Sequence, residues 1–107
     1  MGVNQYDIFW IDLNPAKGHE IKKTRPCVVI SPDEMNQNIN TVIIAPMTTR
    51  SRNYPTRFKI NFKNKVGYVV LDQIRTIDIS RLKTREGRLN DREIFKAKKI
   101  IKEMLVD

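Results

Sequence analysis

The sequence predicts an α+β protein that is mostly β: a small, strongly bent antiparallel sheet or barrel with a C-terminal helix docked on it. Two observations carry this. Short runs rich in aromatic and β-branched residues recur between Pro, Gly and Asn turn signals. One long segment with helical periodicity follows them, at the end of the chain. No repeat, linker or low-complexity tract divides the 107 residues, so a single domain over 1–107 is expected.

The elements follow in order. Tyr6 to Leu13 reads as a strand stopped by Asn14-Pro15, and residues 14–24, with a proline, a glycine and dense charge, read as a long exposed loop. Pro26 pushes Arg25 out of the helical region, so Arg25 should be extended at the mouth of a buried strand from Cys27 to Ile30. Ser31-Pro32-Asp33-Glu34 predicts a serine-capped helical turn through about Met35, then a polar loop from Asn36 to Asn40. Thr41 to Met47 is apolar almost throughout and should be a central strand delivering Thr48 and Thr49 to its edge. Arg50 to Pro55 reads as an exposed basic loop, and Arg57 to Phe62 alternates with Phe58, Ile60 and Phe62 facing in. A turn is expected at Asn64 to Gly67 and one long strand from Tyr68 to Ile77, interrupted chemically by Asp72. Ile79 to Arg88 reads as a basic connector with room for a short strand or turn.

The last helix has the strongest local signal. Asn90 and Glu93 form a capping box, Leu89 and Ile94 sit in staple positions, and Ile94, Ala97, Ile101, Met104 and Leu105 share a face. Lys98, Lys99 and Lys102 lie off that face, as on any solvated helix.

Twenty Lys and Arg against 12 Asp and Glu give a net charge of +8, which makes a polyanion, nucleic acid first, the natural partner. With one cysteine, Cys27, and one histidine, His19, the chain cannot form an internal disulfide, and a zinc site of His and Cys is not expected. No cofactor or metal is expected. Neither a leader-like N-terminus nor a membrane-length apolar run is present, so a cytoplasmic protein without membrane contact is expected.

The loop from Gly18 to Pro26 presents His19, Glu20, Lys22, Lys23 and Arg25 in front of a buried strand. Such residues suit a phosphodiester: cations where negative charge grows, and a proton acceptor or donor close by. In RNA the 2′-OH can attack the adjacent phosphorus without a metal. Arg25 suits the stabilising role, because guanidinium presents a planar two-pronged donor to phosphate oxygens. Glu20, His19 and Asp72 are the candidates for moving protons, and Thr48 adds a hydroxyl donor. Each has a structural alternative: Glu20 pairing with a neighbouring cation, His19 solvated, Thr48 bonding its own backbone, and Asp72 anchoring a loop through arginine or backbone hydrogen bonds.

Gly18-His19-Glu20, Thr24-Arg25-Pro26, Val28 to Pro32, Asn36, Pro46 to Thr49, Tyr54-Pro55 and Leu71 to Asp78 together resemble the MazF/PemK family, in order and over essentially the whole chain. These are toxin endoribonucleases of toxin–antitoxin modules. The resemblance implies an SH3-like barrel with a C-terminal helix, a homodimer, and sequence-selective, metal-independent cleavage of single-stranded RNA such as mRNA to 2′,3′-cyclic phosphate and 5′-hydroxyl ends. It also implies an antitoxin whose acidic tail covers the RNA groove. On this pattern Arg25 and Thr48 are catalytic, and Glu20 and His19 match the loop acid and its neighbour. Asp72 matches an aspartate that acts as base in members with an arginine two residues earlier, where this chain has Val70. RNA contacts are expected from His19, Lys22 and Lys23 on the first loop and from Thr49, Arg50, Arg52 and Tyr54 on the second. Gln73 and Arg75 complete that surface. A barrel of this kind also hosts binding proteins, such as gyrase-directed toxins or inactive nucleic-acid modules; the aromatic C-terminal tip of the former is not matched by Met104-Leu105-Val106-Asp107.

Overall fold

A computed structural model describes residues 2–106. Seven antiparallel strands form a curled half-barrel: β1 Asp7–Asp12, β2 Thr24–Val29, β3 Thr41–Thr48, β4 Arg57–Phe62, β5 Lys65–Val70, β6 Arg75–Asp78 and β7 Leu82–Arg88. Helix α1, Asp33–Asn38, joins β2 to β3, and helix α2, Asp91–Leu105, closes the chain. The strand order is β4-β5-β3-β2-β1-β7, with β6 added beside the first half of β3.

The central strands are apolar on both faces because the sheet has a core on each side. Ile8, Val28, Ala45, Met47, Phe58, Ile60, Val69 and Leu71 pack under α2 with Leu89 and Ala97. The alternate residues Phe9, Ile11, Cys27, Val29, Val42, Ile44, Ile77 and Leu82 fill the second core. Period-two alternation thus sends the odd and even residues of β1, β2 and β3 to different cores. Cys27 is fully buried there, and burial pushes its thiol up to about 12, so it behaves as a small apolar side chain.

Several expectations need correction. The strand expected from Tyr68 to Ile77 is broken by a 3-10 turn, Leu71–Gln73. Extending the Met47–Val69 register would put Ile44 opposite Asp72, yet Ile44 faces Arg75. The three turn residues are therefore looped out of the ladder, which frees Asp72 and Gln73 to reach neighbouring loops. The expected turn at 64–67 lies instead at Lys63-Asn64, both with positive φ (51° and 64°), between the paired residues Phe62 and Lys65. That is a two-residue primed hairpin, whose twist matches the strands. Helix α1 runs through Asn36 to Asn38, which were expected as loop, and Pro32 rather than Ser31 is its N-cap. The Ser31 hydroxyl is buried and donates to Asn36 Oδ1 (2.5 Å) while accepting from Ile43 N (3.0 Å). Residues 79–88 form a second 3-10 turn and the edge strand β7, paired with β1.

At the C-terminus the capping box forms as expected: Glu93 N donates to Asn90 Oδ1 (2.8 Å) and Asn90 N to Glu93 Oε1 (2.9 Å). Ile94, Ile101 and Met104 pack on the core, but Leu105 does not. It is 62% exposed in the last turn, and Ile100 packs in its stead.

Candidate active site

The register of the central strands builds the site. In the β2–β3 pair Cys27 faces Pro46, and continuing that register by two residues sets Arg25 opposite Thr48. In the β1–β2 pair Trp10 faces Pro26. Arg25, Pro26, Thr48 and Trp10 therefore meet at one end of the sheet, where they line an open cleft of about 380 Å³. Thr24, Met47 and Thr49 belong to the same wall, and the β4–β5 hairpin supplies the opposite one through Phe62, Lys63, Lys65, Val66 and Gly67. Gly67 allows a close approach here, since a Cβ would sit a tight 3.3 Å from the Thr48 carbonyl oxygen. Among the described residues the lining contains cations and hydroxyls but no carboxylate.

Arg25 is half-buried, and its Nε donates to the Lys22 carbonyl at 2.9 Å. Its two terminal nitrogens have no hydrogen-bond partner among the described residues. The guanidinium is thus held by one edge and presents the other to the cleft, the arrangement a two-pronged phosphate contact requires. Thr48 Oγ1 accepts from Arg50 N at 3.1 Å and lies 3.3 Å from the Arg50 carbonyl, closing the start of the second loop while bordering the cleft.

The loop between β1 and β2 is fixed from outside. Gln73 Oε1 accepts from Ile21 N (2.8 Å) and its Nε2 donates to the His19 carbonyl (3.3 Å). Arg75 donates to the Leu13 carbonyl (3.0 Å) and Arg81 to the Asn14 carbonyl (2.6 Å). Gln73 and Arg75, expected on the RNA surface, thus grip the loop backbone that presents Arg25. His19, Glu20, Lys22 and Lys23 are exposed on that loop, and Glu20 Oε1 accepts from Lys17 N across a turn at Gly18.

Asp72 lies outside the cleft lining. Its carboxylate takes a two-pronged contact from Arg57, Nε to Oδ1 at 3.0 Å and Nη2 to Oδ2 at 2.9 Å, plus the Thr56 hydroxyl at 3.0 Å. These Arg57 hydrogen bonds hold the carboxyl below its usual range. Arg57 also stacks on Tyr54 (5.2 Å) and donates to Ser51, so Asp72 anchors the second loop, on which Arg50, Arg52 and Tyr54 are exposed. A lowered folded pKa means the contribution to stability is present above the ordinary aspartate range and lost as pH falls through the folded value. Asp72→Asn should cost on the order of 1 kcal/mol at pH 7, with the gap to the parent closing below about pH 4, as read by denaturant unfolding.

A family model described as PemK-like, MazF-like toxin of type II toxin-antitoxin system matches residues 4–105. The chain belongs to this family. Endoribonuclease toxin MazF of Escherichia coli (strain K12) is 34% identical over 71 residues, 66% of this chain and 64% of that protein. The alignment thus spans just under two thirds of the relative. MazF from Deinococcus radiodurans matches with a TM-score of 0.86 at 22% identity, over 98% of this chain and 97% of that one. An endoribonuclease in complex with its cognate antitoxin from Mycobacterial species gives 0.82 at 20% identity, over 96% and 94%. At these identities the likeness concerns the fold, and it is the expected barrel with a C-terminal helix.

Half of this cleft was not legible in the sequence. In the sequence Trp10 reads only as a strand residue and Lys65 only as part of a turn, and nothing marks Lys63. The signal for the hairpin wall was the Lys63-Asn64 pair between Phe62 and Lys65, since asparagine tolerates the left-handed conformation that a primed turn demands. Among the described residues no three His, Cys, Asp or Glu side chains come together as a metal site would need, and no helix is long and apolar enough to cross a membrane.

Proposed function

We propose that this chain is the toxin of a toxin–antitoxin module and cleaves single-stranded RNA, mRNA included, at the Arg25–Thr48 cleft. The observation that carries the reading is the meeting of a free guanidinium edge and a hydroxyl in a cation-rimmed cleft of a MazF-like barrel. The 2′-oxygen of one nucleotide attacks the adjacent phosphorus, a pentacoordinate phosphorane forms, and the P–O5′ bond breaks. The products are a 2′,3′-cyclic phosphate and a 5′-hydroxyl. Arg25 binds the non-bridging oxygens as their charge grows, and Thr48 donates a further hydrogen bond. Of the two carboxylates offered by the sequence, Asp72 is committed to Arg57. Glu20, exposed on the loop that leads into β2 and Arg25, takes the 2′-OH proton in this scheme, and the departing 5′-oxygen takes a proton from solvent water as the P–O5′ bond breaks.

His19, Lys22 and Lys23 on one loop and Thr49, Arg50, Arg52 and Tyr54 on the other flank the bound strand, with Tyr54, 52% exposed and backed by Arg57, offering its ring to a base. The net charge of +8 suits both RNA and an antitoxin with an acidic tail laid over the same groove. The active unit is a homodimer in the cytoplasm, where mRNA is exposed. Purified protein incubated with a long single-stranded RNA in EDTA should give discrete fragments with cyclic-phosphate and 5′-hydroxyl ends. RNA left intact by folded protein contradicts the proposal, and inhibited DNA supercoiling with intact RNA would favour a gyrase-directed toxin.

A further inference from the structure

The cleft holds a cluster that the chemistry above does not use. Trp10, the chain's single tryptophan, is half-buried on the wall beside Pro26. Its indole Nε1 donates to Glu86 Oε1 at 2.6 Å, and the same oxygen pairs with Lys63 Nζ. One carboxylate thereby ties β1, β7 and the β4–β5 hairpin together at the rim of the cleft.

Glu86 reaches this position through a bulge. In the β1–β7 pair Ile8 faces Gly87 and Phe9 faces Arg85, so Glu86 is the extra residue, and Gly87 takes φ of 145° beside it. A bulge re-aims the side chain it releases, and glycine alone adopts that φ without strain. Only 14% of the Glu86 side chain is exposed, against 57% for Lys63. The indole is therefore held by a partly shielded acceptor, and the cation lies on the solvent side.

Around Trp10 the cleft is apolar, with Pro26, Met47, Phe62 and Val66 in its lining, while Arg25 and Lys65 supply charge. A flat apolar surface next to phosphate-binding cations has the make-up of a nucleotide site: ring surface for a base, cations for the phosphates beside it. We propose that Trp10 is the stacking wall of a nucleobase subsite for one base flanking the cut, and that Glu86 is a positioning residue that fixes the indole. The proposal rests on the RNA-cleaving reading above and adds the site that takes a base rather than a phosphate.

Trp10 is the only tryptophan, so its emission reports the subsite directly. The probe is a single-stranded oligonucleotide of the sequence mapped from wild-type cleavage, with 2′-deoxyribose at the cut nucleotide. It should shift or quench Trp10 emission, and an abasic residue at one flanking position should remove that change and weaken binding about 5- to 150-fold. In cleavage assays Trp10→Ala should raise KM over the same range, and Trp10→Phe, which keeps a ring and the packing, much less. Glu86→Ala should raise KM about tenfold with kcat nearly unchanged, the loss of one charged hydrogen bond. Glu86→Gln, whose amide oxygen still accepts from the indole, should restore KM, which a role through the Lys63 ion pair alone would not allow. Wild-type protein that cuts RNA while Trp10 emission and the KM of all four variants stay unchanged overturns the subsite and leaves the proposed function standing. Emission that responds to a protein partner but to no oligonucleotide also overturns it. Wild-type protein that leaves RNA intact overturns the parent reading instead.

Discussion

Arg25→Ala is expected to lower kcat for RNA cleavage by about 10²- to 10³-fold, the effect of removing one main donor to a developing oxyanion. The side chain makes a single hydrogen bond among the described residues, from Nε to the Lys22 carbonyl, is half-buried, and belongs to neither core. Its removal should therefore leave the unfolding free energy within about 0.5 kcal/mol of the parent's, the usual range for surface changes. The contrast between a large kinetic loss and a small stability change is the signature expected of a catalytic group. Arg25→Lys should recover only part of the rate, because an ammonium brings charge without the flat pair of donors. Rates under single-turnover conditions, compared with denaturant unfolding of the same preparations, check both halves. A variant that cleaves at the parent rate would remove Arg25 from the mechanism.

The second large effect lies far from the cleft. Asn36→Asp should destabilise the protein by about 3 kcal/mol at pH 7, because it buries a charge and turns a donor into an acceptor. Asn36 is 6% exposed; its Nδ2 donates to the Ser31 carbonyl at 2.9 Å and its Oδ1 accepts from the Ser31 hydroxyl. An introduced carboxylate would face that carbonyl with an oxygen. For a domain of this size the midpoint of thermal unfolding should fall by about 10–20 °C. The folded state raises the pKa of such a carboxyl, so the penalty is absent below the ordinary aspartate range and grows as pH rises. Thermal unfolding of parent and variant at pH 4 and pH 7 measures it. Ser31 also accepts from Ile43 N, so this small network ties the segment between β2 and α1 to β3.

Much of the fold was legible because local signals agreed with the global arrangement. The Asn90–Glu93 capping box, the alternation from Phe58 to Phe62 and the apolar run of β3 each had one physical reading. The break at Leu71–Gln73 was not legible, since Val69 to Ile77 has strand composition apart from Asp72 and only the double pairing of β3 requires three residues to loop out. The same long-range cause hid the role of Gln73, which grips a loop 52 residues away in sequence. Arg25 and Thr48 were legible as strand-end residues next to a proline and a buried run. Trp10 and Glu86 were not, because the bulge that aims Glu86 at the indole depends on β7 pairing with β1, and the basic, poorly periodic composition of residues 79–88 is that of a connector.

One substitution in the substrate tests the central claim most directly. A single-stranded RNA carrying the mapped cleavage sequence is made with and without a 2′-deoxy residue at the nucleotide just 5′ of the cut, and both are incubated with the protein in EDTA. If the 2′-OH is the nucleophile, the unmodified RNA is cut to a 2′,3′-cyclic phosphate and a 5′-hydroxyl, and the deoxy-substituted RNA stays whole while binding as well. Cleavage of the deoxy-substituted RNA at the same site would contradict the account, because another nucleophile would then be attacking the phosphorus.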